Sequence, residues 1–314
     1  MSHKNEIRGV AADKSKNGEE SGQKTIQRTS RMALYAHRYF RSTSAVVGLI
    51  IFIVLVLWAI FGRFLTHYNY TELDFANLGA PPSAEHYFGT TSEGSDLYAM
   101  VVHGLGRSLV IAIVSSLGVT IIAAIVGTSI SFFEGWFEKV GMWIVDMLMA
   151  IPSFLLIAMM VSSASSDSGW LWLIFGLTVL GWIGQARVLR TMTMSLRELD
   201  YIRASKFMGV NSFVIILRHL VPNLGSILII DTVLTAVTTV ASETSLSFLG
   251  LGIKAPDTSL GTILNEGQSA IMTQPWTLIF PSLVLIVLCF SMQMIGDGLR
   301  DALDPNSRSG GKAE

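Results

Sequence analysis

The chain has 314 residues, of which 51% are apolar and only 14% are charged, against roughly 25% charged in an average soluble domain. With a mean hydropathy of +0.53, this excludes an ordinary soluble domain and points to a polytopic membrane protein. The net charge of −1 carries little weight, because orientation in a membrane follows where Lys and Arg sit, and the single Cys289 excludes an intrachain disulfide.

Residues 1 to about 31 are rich in Lys, Glu, Gly, Ser, Asn and Gln and hold no aromatic side chain. Such a segment buries too little apolar surface to offset its ordering entropy, so a disordered tail is expected. From Arg31 to Arg41 it turns basic and aromatic, with Tyr35, Arg38, Tyr39 and Phe40, a composition suited to anchoring on anionic lipid. A signal peptide is not expected, because the first apolar run is too long and lies too far in.

Uncharged apolar stretches run over about 42–62, 108–133, 169–186 and 275–296, and two more, about 140–163 and 224–242, hold one carboxylate each. Each is near the ~20 residues that a membrane-spanning helix needs. The expected fold is therefore all-α and polytopic with six transmembrane helices. The expected organisation is a tail over 1–41, a six-span domain over 42–299 and a second tail over 300–314. No internal repeat stands out, so an inverted-repeat transporter has no support.

Lys and Arg set the expected orientation. The segment before residue 44 carries nine of them: Lys4, Arg8, Lys14, Lys16, Lys24, Arg28, Arg31, Arg38 and Arg41. The loop from Leu65 to Gly106 carries none, but has Glu72, Asp74, Glu85, Glu93 and Asp96. Lys139 lies in the next loop, and none lies near Ser162–Gly169. Arg187, Arg190, Arg197, Arg203, Lys206 and Arg218 crowd the central polar stretch and its flanks. Lys254 alone follows near Leu246–Pro275, and Arg300, Arg308 and Lys312 close the chain. The alternation predicts both termini and the central stretch in the cytoplasm.

That stretch, Ser195 to Asn223, is the most polar internal segment. It reads as two short helices and a turn. Ser195 with Glu198 has the form of a capping box. Gly209 suits a helix stop because it enters the left-handed region without steric cost. Asn211 is placed to cap the second helix, and Pro222 to mark its end. Tyr201, Ala204, Ser205 and Met208 share one face by their spacing. Ala204 and Ser205 are small, which lets another surface approach closely. A basic hairpin of this kind between two spans reads as a docking device.

The same residues carry a resemblance. Asp200-Tyr-Ile-Arg203-Ala204-Ser205-Lys-Phe-Met-Gly209, then Arg218-His219-Leu-Val-Pro222-Asn223, resembles the EAA loop of permease subunits in binding-protein-dependent ABC importers. Arg203 stands where that pattern has its acid, and Ser205 where it has its second Ala. Ala150-Ile-Pro152-Ser, Gly181-Trp-Ile-Gly-Gln-Ala-Arg187, Ser242-Glu-Thr-Ser-Leu-Ser-Phe-Leu-Gly-Leu-Gly252 and Gly296-Asp-Gly-Leu-Arg-Asp-Ala-Leu-Asp-Pro305 add to it. Together, over roughly residues 40 to 305, they resemble the dipeptide/oligopeptide/nickel permease family in its C-type branch.

That resemblance implies a type I importer fold and a multi-pass subunit of a prokaryotic inner membrane. It implies a second homologous permease, two ABC ATPase subunits and an extracytoplasmic binding protein. ATP and Mg are used by those ATPases; this chain is expected to bind no cofactor. A coupling loop over 191–223 is implied, with Asp200, Tyr201, Ala204, Ser205, Gly209, His219 and Pro222 as its docking residues. The implied substrate is a short peptide, with nickel or another small solute as the alternative.

Charge inside a span defaults to a functional reading. Asp146, near Lys139, reads as a structural partner at the cytoplasmic edge. Asp231 reads as facing a water-filled path or bonding a neighbouring helix. Glu243, among Ser242, Thr244 and Ser245, reads as available to a substrate amine or an outer gate. Pro152 reads as a kink, with a gating hinge as the alternative. Gly250 and Gly252 permit a re-entrant turn, and the polar segment from Pro256 to Pro275 is expected at the outer surface, within reach of a delivery protein.

The remaining motifs exclude other chemistry. His67, His86 and His103 are widely spaced and read as surface or interfacial residues, not metal ligands. Gly310-Gly-Lys312 lacks the context of a phosphate loop. No nucleophile constellation appears, so an enzyme is not expected, and nor is a nucleic-acid partner. A self-sufficient channel or secondary transporter would need paired membrane charges or a polar pore-lining helix, and the carboxylates are single and scattered.

Overall fold

The computed structural model describes residues 31–165 and 168–303. The tail before residue 31 and residues 304–314 lie outside them, and with those residues the expected disorder and the Gly310–Lys312 motif. Two compact units separate at His37, Met1–His37 and Arg38–Glu314. The described part of the first is helical, the beginning of α1, Arg31–Arg41.

The described residues of the second unit form a bundle of six apolar rods. They are α2 (Thr43–Phe61), α3 (Leu97–Phe133), the pair α4 (Gly135–Met149) and α5 (Ser153–Ser162), α6 (Gly169–Leu196), α10 (Gly225–Phe248) and α12 (Trp276–Leu303). Five are long and apolar enough to cross a membrane alone, and the α4–α5 pair, bent by 66°, is so only when its two helices are taken together. The bend falls at Ala150–Pro152, where Pro152 adopts φ −65° and ψ 94° and starts α5. Its missing N–H and the restricted residue before it end α4 there.

Several helices run past their predicted ends. α3 begins at Leu97, capped by Asp96, whose Oδ1 accepts the Ala99 N–H at 2.7 Å. The apolar run was expected from 108, because His103 and Arg107 interrupt it. Asp257, distant in sequence, takes both: His103 Nε2 lies 2.8 Å from its Oδ1 and Arg107 Nε 2.9 Å from its Oδ2. Likewise α6 continues through Arg187 and Arg190, which pair with Asp146 and Glu138 of α4. Arg187, not Lys139, is thus the partner of Asp146. α6 also runs through Ser195, so the expected capping box does not form; Leu199 stands at the N-cap of the next helix and caps nothing with its side chain.

α3 is the centre of the bundle and packs against α2, α6, α10, α11 (Leu260–Ala270) and α12. Leu97, Val101, Leu105 and Leu109 of α3 repeat at helical spacing and so line one face. They meet Val240 of α10, Ile263 of α11 and Leu288 of α12 in one buried cluster. The α3–α6 crossing is closer still, and small residues allow it. A Cβ on Gly127 would stand 2.6 Å from the Ala186 carbonyl oxygen.

At the end of the bundle where α2 finishes, the segment after the 3₁₀ turn Gly62–Phe64 folds back over α3 and α12. Trp276 Nε1 donates to the Thr90 carbonyl at 3.1 Å, and Ser92 Oγ to Gln274 Oε1 at 3.0 Å. His86, expected at the surface or an interface, is only 2% exposed. Its Nδ1 lies 2.8 Å from Asp96 Oδ2 and its Nε2 3.4 Å from Asp74 Oδ2. Two carboxylates brought from either side in sequence offset the cost of burying this ring. His103 belongs to α3 rather than to the loop, and His67 is exposed.

The polar segment after α10 is also more ordered than its composition suggests. α11 buries Leu260, Gly261, Ile263, Leu264 and Gly267 and shows its other face. The turn before it rests on Gly250 at φ +75°, with the Leu251 N–H reaching the Leu246 carbonyl at 2.9 Å.

Candidate docking site and polar groups of the spans

The opposite end of the bundle carries the hairpin. α7 is Asp200–Phe207, α8 is Ser212–Ile215, a π-helical turn covers Ile216–Leu220, and α9 is Val221–Asn223. Gly209 has φ +75°. Its N–H bonds the Lys206 carbonyl at 3.1 Å, and the Val210 N–H bonds that of Ser205 at 3.2 Å. These two bonds form a Schellman stop, which needs the left-handed residue at this position. Asn211 then caps α8 by accepting the Phe213 N–H at 2.9 Å.

Pro222 does not end this second helix. The Val221 N–H reaches five residues back to Ile216, and the helical path continues through α9 to α10. The wider π turn absorbs the N–H that proline lacks.

One face of the hairpin is fixed to the bundle. Ile202, Ile215, Ile216 and Leu220 form a buried cluster with Phe132 at the end of α3. Charge reinforces it: Arg197 donates to the Ser131 carbonyl and lies 3.8 Å from Glu138, while Lys206 lies 3.7 Å from Glu134. The other face is bare. Phe207 is 90% exposed, Met208 74% and Phe213 63%. Phe213, Val214, Leu217, Arg218 and Pro222 line a shallow groove of about 400 Å³ there. Large apolar side chains exposed outside the spans make the hairpin a candidate interaction surface.

Of the predicted site residues, Pro222 lines this groove, and the others lie elsewhere on the hairpin. Tyr201 and His219 meet across the hairpin, their rings edge-on at 6.4 Å. The Tyr201 hydroxyl accepts from Asn223 Nδ2 at 2.9 Å. Ser205 Oγ donates to the Tyr201 carbonyl at 2.8 Å, Asp200 opens α7, and Asp200 and Ala204 are exposed. Arg203, at the acid position of the expected pattern, pairs with Glu198. The hydrogen bond from Arg203 is the main cause that holds the Glu198 carboxyl below the usual carboxylate range. Phe207, Phe213, Leu217 and Asn223 were not among the predicted site residues. For the three apolar ones, the available signal was their character in a stretch outside every span.

The polar groups within the spans separate into two kinds. Asp231 is half-buried on α10, with Gln185 of α6 beside it. Glu243 is fully buried: Ser108 donates to its Oε2 at 3.0 Å and Ser247 to its Oε1 at 2.8 Å. In this conformation it ties α10 to α3 through Ser108, with both oxygens held by hydroxyls. Pro152 stands at the α4–α5 break, away from both carboxylates in sequence.

The described residues form a membrane-type helical bundle with an apolar hairpin bare at one end, the architecture of a polytopic membrane protein. Comparisons with known proteins agree. Residues 116–309 match the family described as binding-protein-dependent transport system inner membrane component, and residues 30–82 match the N-terminal TM domain of oligopeptide transport permease C. An oligopeptide transport system permease protein of Mycobacterium tuberculosis is 41% identical over 280 residues, covering 89% of this chain and 96% of that protein. One of Bacillus subtilis is 36% identical, covering 86% and 88%, and a dipeptide transport system permease protein of the same organism is 32% identical, covering 86% and 84%. The MetNI methionine ABC transporter, in an inward-facing conformation, shares the fold with a TM-score of 0.52 at 21% identity, covering 65% of this chain and 96% of that one.

The chain belongs to the binding-protein-dependent transport system inner membrane component family and is a multi-pass permease subunit of an ABC importer.

Proposed function

We propose that this chain forms half of the translocation path of an ATP-driven peptide importer and couples to ATPase subunits through its 191–223 loop. The observation that carries the coupling is the bare apolar face of Phe207, Met208, Phe213 and Leu217 on a hairpin fixed by Gly209. Peptide as substrate is supported by the relatives' names, which are oligopeptide and dipeptide permeases. The partners are a second homologous permease, two ATPases that use ATP and Mg, and an extracytoplasmic binding protein. Both termini and the hairpin lie in the cytoplasm of a prokaryotic cell, and the 62–96 segment lies outside its inner membrane.

On this reading, force on the hairpin has a defined route. The Ile202 cluster passes it to Phe132 at the end of α3, the central helix, and the Lys206–Glu134 pair passes it to the α3–α4 corner. Asp231 is the path-facing carboxylate, Glu243 a lock between α3 and α10, and the Pro152 break a hinge.

Gly209→Val tests the coupling. A Cβ at Gly209 meets no atom within 4 Å, so the damage comes from backbone strain alone. The left-handed conformation costs an ordinary residue about 1–2 kcal/mol and a β-branched one more. Gly209→Asn, which tolerates that conformation, is the control. The Val variant is expected to insert normally but to retain less ATPase in pull-downs and to lose peptide uptake, while the Asn variant keeps both. Normal ATPase retention and uptake by the Val variant would refute coupling through this turn.

A further inference from the structure

We propose that a groove between the end of α2 and the start of α3 holds one anionic phospholipid. The cavity has a volume of about 800 Å³. Ile60 from α2 and Val102, Gly106 and Val110 from α3 give it an apolar lining, and Arg63, His67 and the polar 66–72 segment complete it. Exposed apolar side chains continue from it along α2 and the 3₁₀ turn, where Ile53, Leu57, Ile60 and Phe64 are between 46% and 69% exposed. An acyl chain lies naturally along such a surface.

Depth and charge select the headgroup. The 19 residues of α2 span ~28 Å at ~1.5 Å per residue, close to the ~30 Å hydrocarbon thickness. Arg63 follows directly and so stands at the level of the phosphates. Among the described residues it makes no ion pair; its guanidinium lies over the Phe64 ring, 4.7 Å from the centroid. Arg107, also on the wall, is already held by Asp257. Glu72 is the carboxylate on the wall, and its Oε2 accepts the Asn69 N–H at 3.3 Å. An uncommitted guanidinium beside an apolar channel matches a phosphodiester joined to acyl chains. Free phosphate leaves the apolar half empty, and a lipid without net charge competes poorly for Arg63. Only the leaflet, the outer one, rests on the orientation proposed above; a reversed chain would hold the same lipid in the other leaflet with unchanged retention.

The test is native mass spectrometry of the assembled importer, released from nanodiscs of equal phosphatidylglycerol and phosphatidylcholine. Phosphatidylglycerol should be retained preferentially. Arg63→Gln should reduce its retention about fivefold, the effect of one basic residue at an anionic surface. Val110→Trp, which fills the apolar half, should reduce retention of both lipids, and added inorganic phosphate should displace neither. Equal retention of the two lipids, no change in Arg63→Gln, or displacement by phosphate would overturn the site. Retention by the isolated chain but not by the assembled importer would overturn it too, by showing that a partner subunit covers the groove.

Discussion

Asp257 shows what a single side chain does for this structure. It is 8% exposed and fastens His103 and Arg107 of α3 to the segment after α10. Burial pushes its carboxyl up, but the hydrogen bond from His103 and the charge of Arg107 outweigh it and hold the carboxyl below the usual range. A carboxyl lowered on folding contributes stability above its unfolded value of about 3.9, and that contribution is lost as pH falls through the folded value. Asp257→Asn should therefore lower Tm by a few degrees at neutral pH. The gap from the parent protein should close as thermal scans are taken down through the carboxylate range. A gap that stays constant with pH would mean that Asp257 acts through packing and not through charge.

Among the elements, the α3–α6 crossing is closely fitted. A Cβ at Gly127 would stand 2.6 Å from the Ala186 carbonyl oxygen, whereas one at Gly184, on α6, would meet nothing within 4 Å. The same substitution at the two positions separates packing from helix propensity. Gly127→Leu forces backbone apart and should destabilise by about 1–3 kcal/mol, the usual range for overpacking. Gly184→Leu should be near neutral. Thermal denaturation of the detergent-purified chain measures both, and equal losses would show that the crossing is looser than its geometry.

At the scale of the molecule, the two ends of the bundle differ in charge and in exposed apolar surface. The 65–106 segment carries no Lys or Arg, and six of them crowd the hairpin and its flanks. In a Cys289→Ser background, Ala84→Cys should react with an impermeant maleimide in intact cells, and Lys206→Cys only after permeabilisation. Labelling of residue 206 in intact cells would reverse the orientation and remove the ATPase-docking role of the hairpin with it.

The number and order of the spans, the stop at Gly209 and the cap at Asn211 were legible in the sequence. Each rests on a local cause: an apolar run of membrane length, a residue free to turn left-handed, a side chain that reaches the next turn. The starts and ends of α3 and α6, the burial of His86 and the enclosure of Glu243 were not. Most of their partners lie far away in sequence, Asp257 for Arg107, Glu138 for Arg190 and Ser108 for Glu243, while His86 takes Asp74 and Asp96 from its own loop. A charged or polar residue read alone breaks an apolar helix or marks a surface. The tertiary structure decided otherwise here because folding brings an opposite charge or a hydroxyl to each, and a paired polar group is tolerated where a lone one is not.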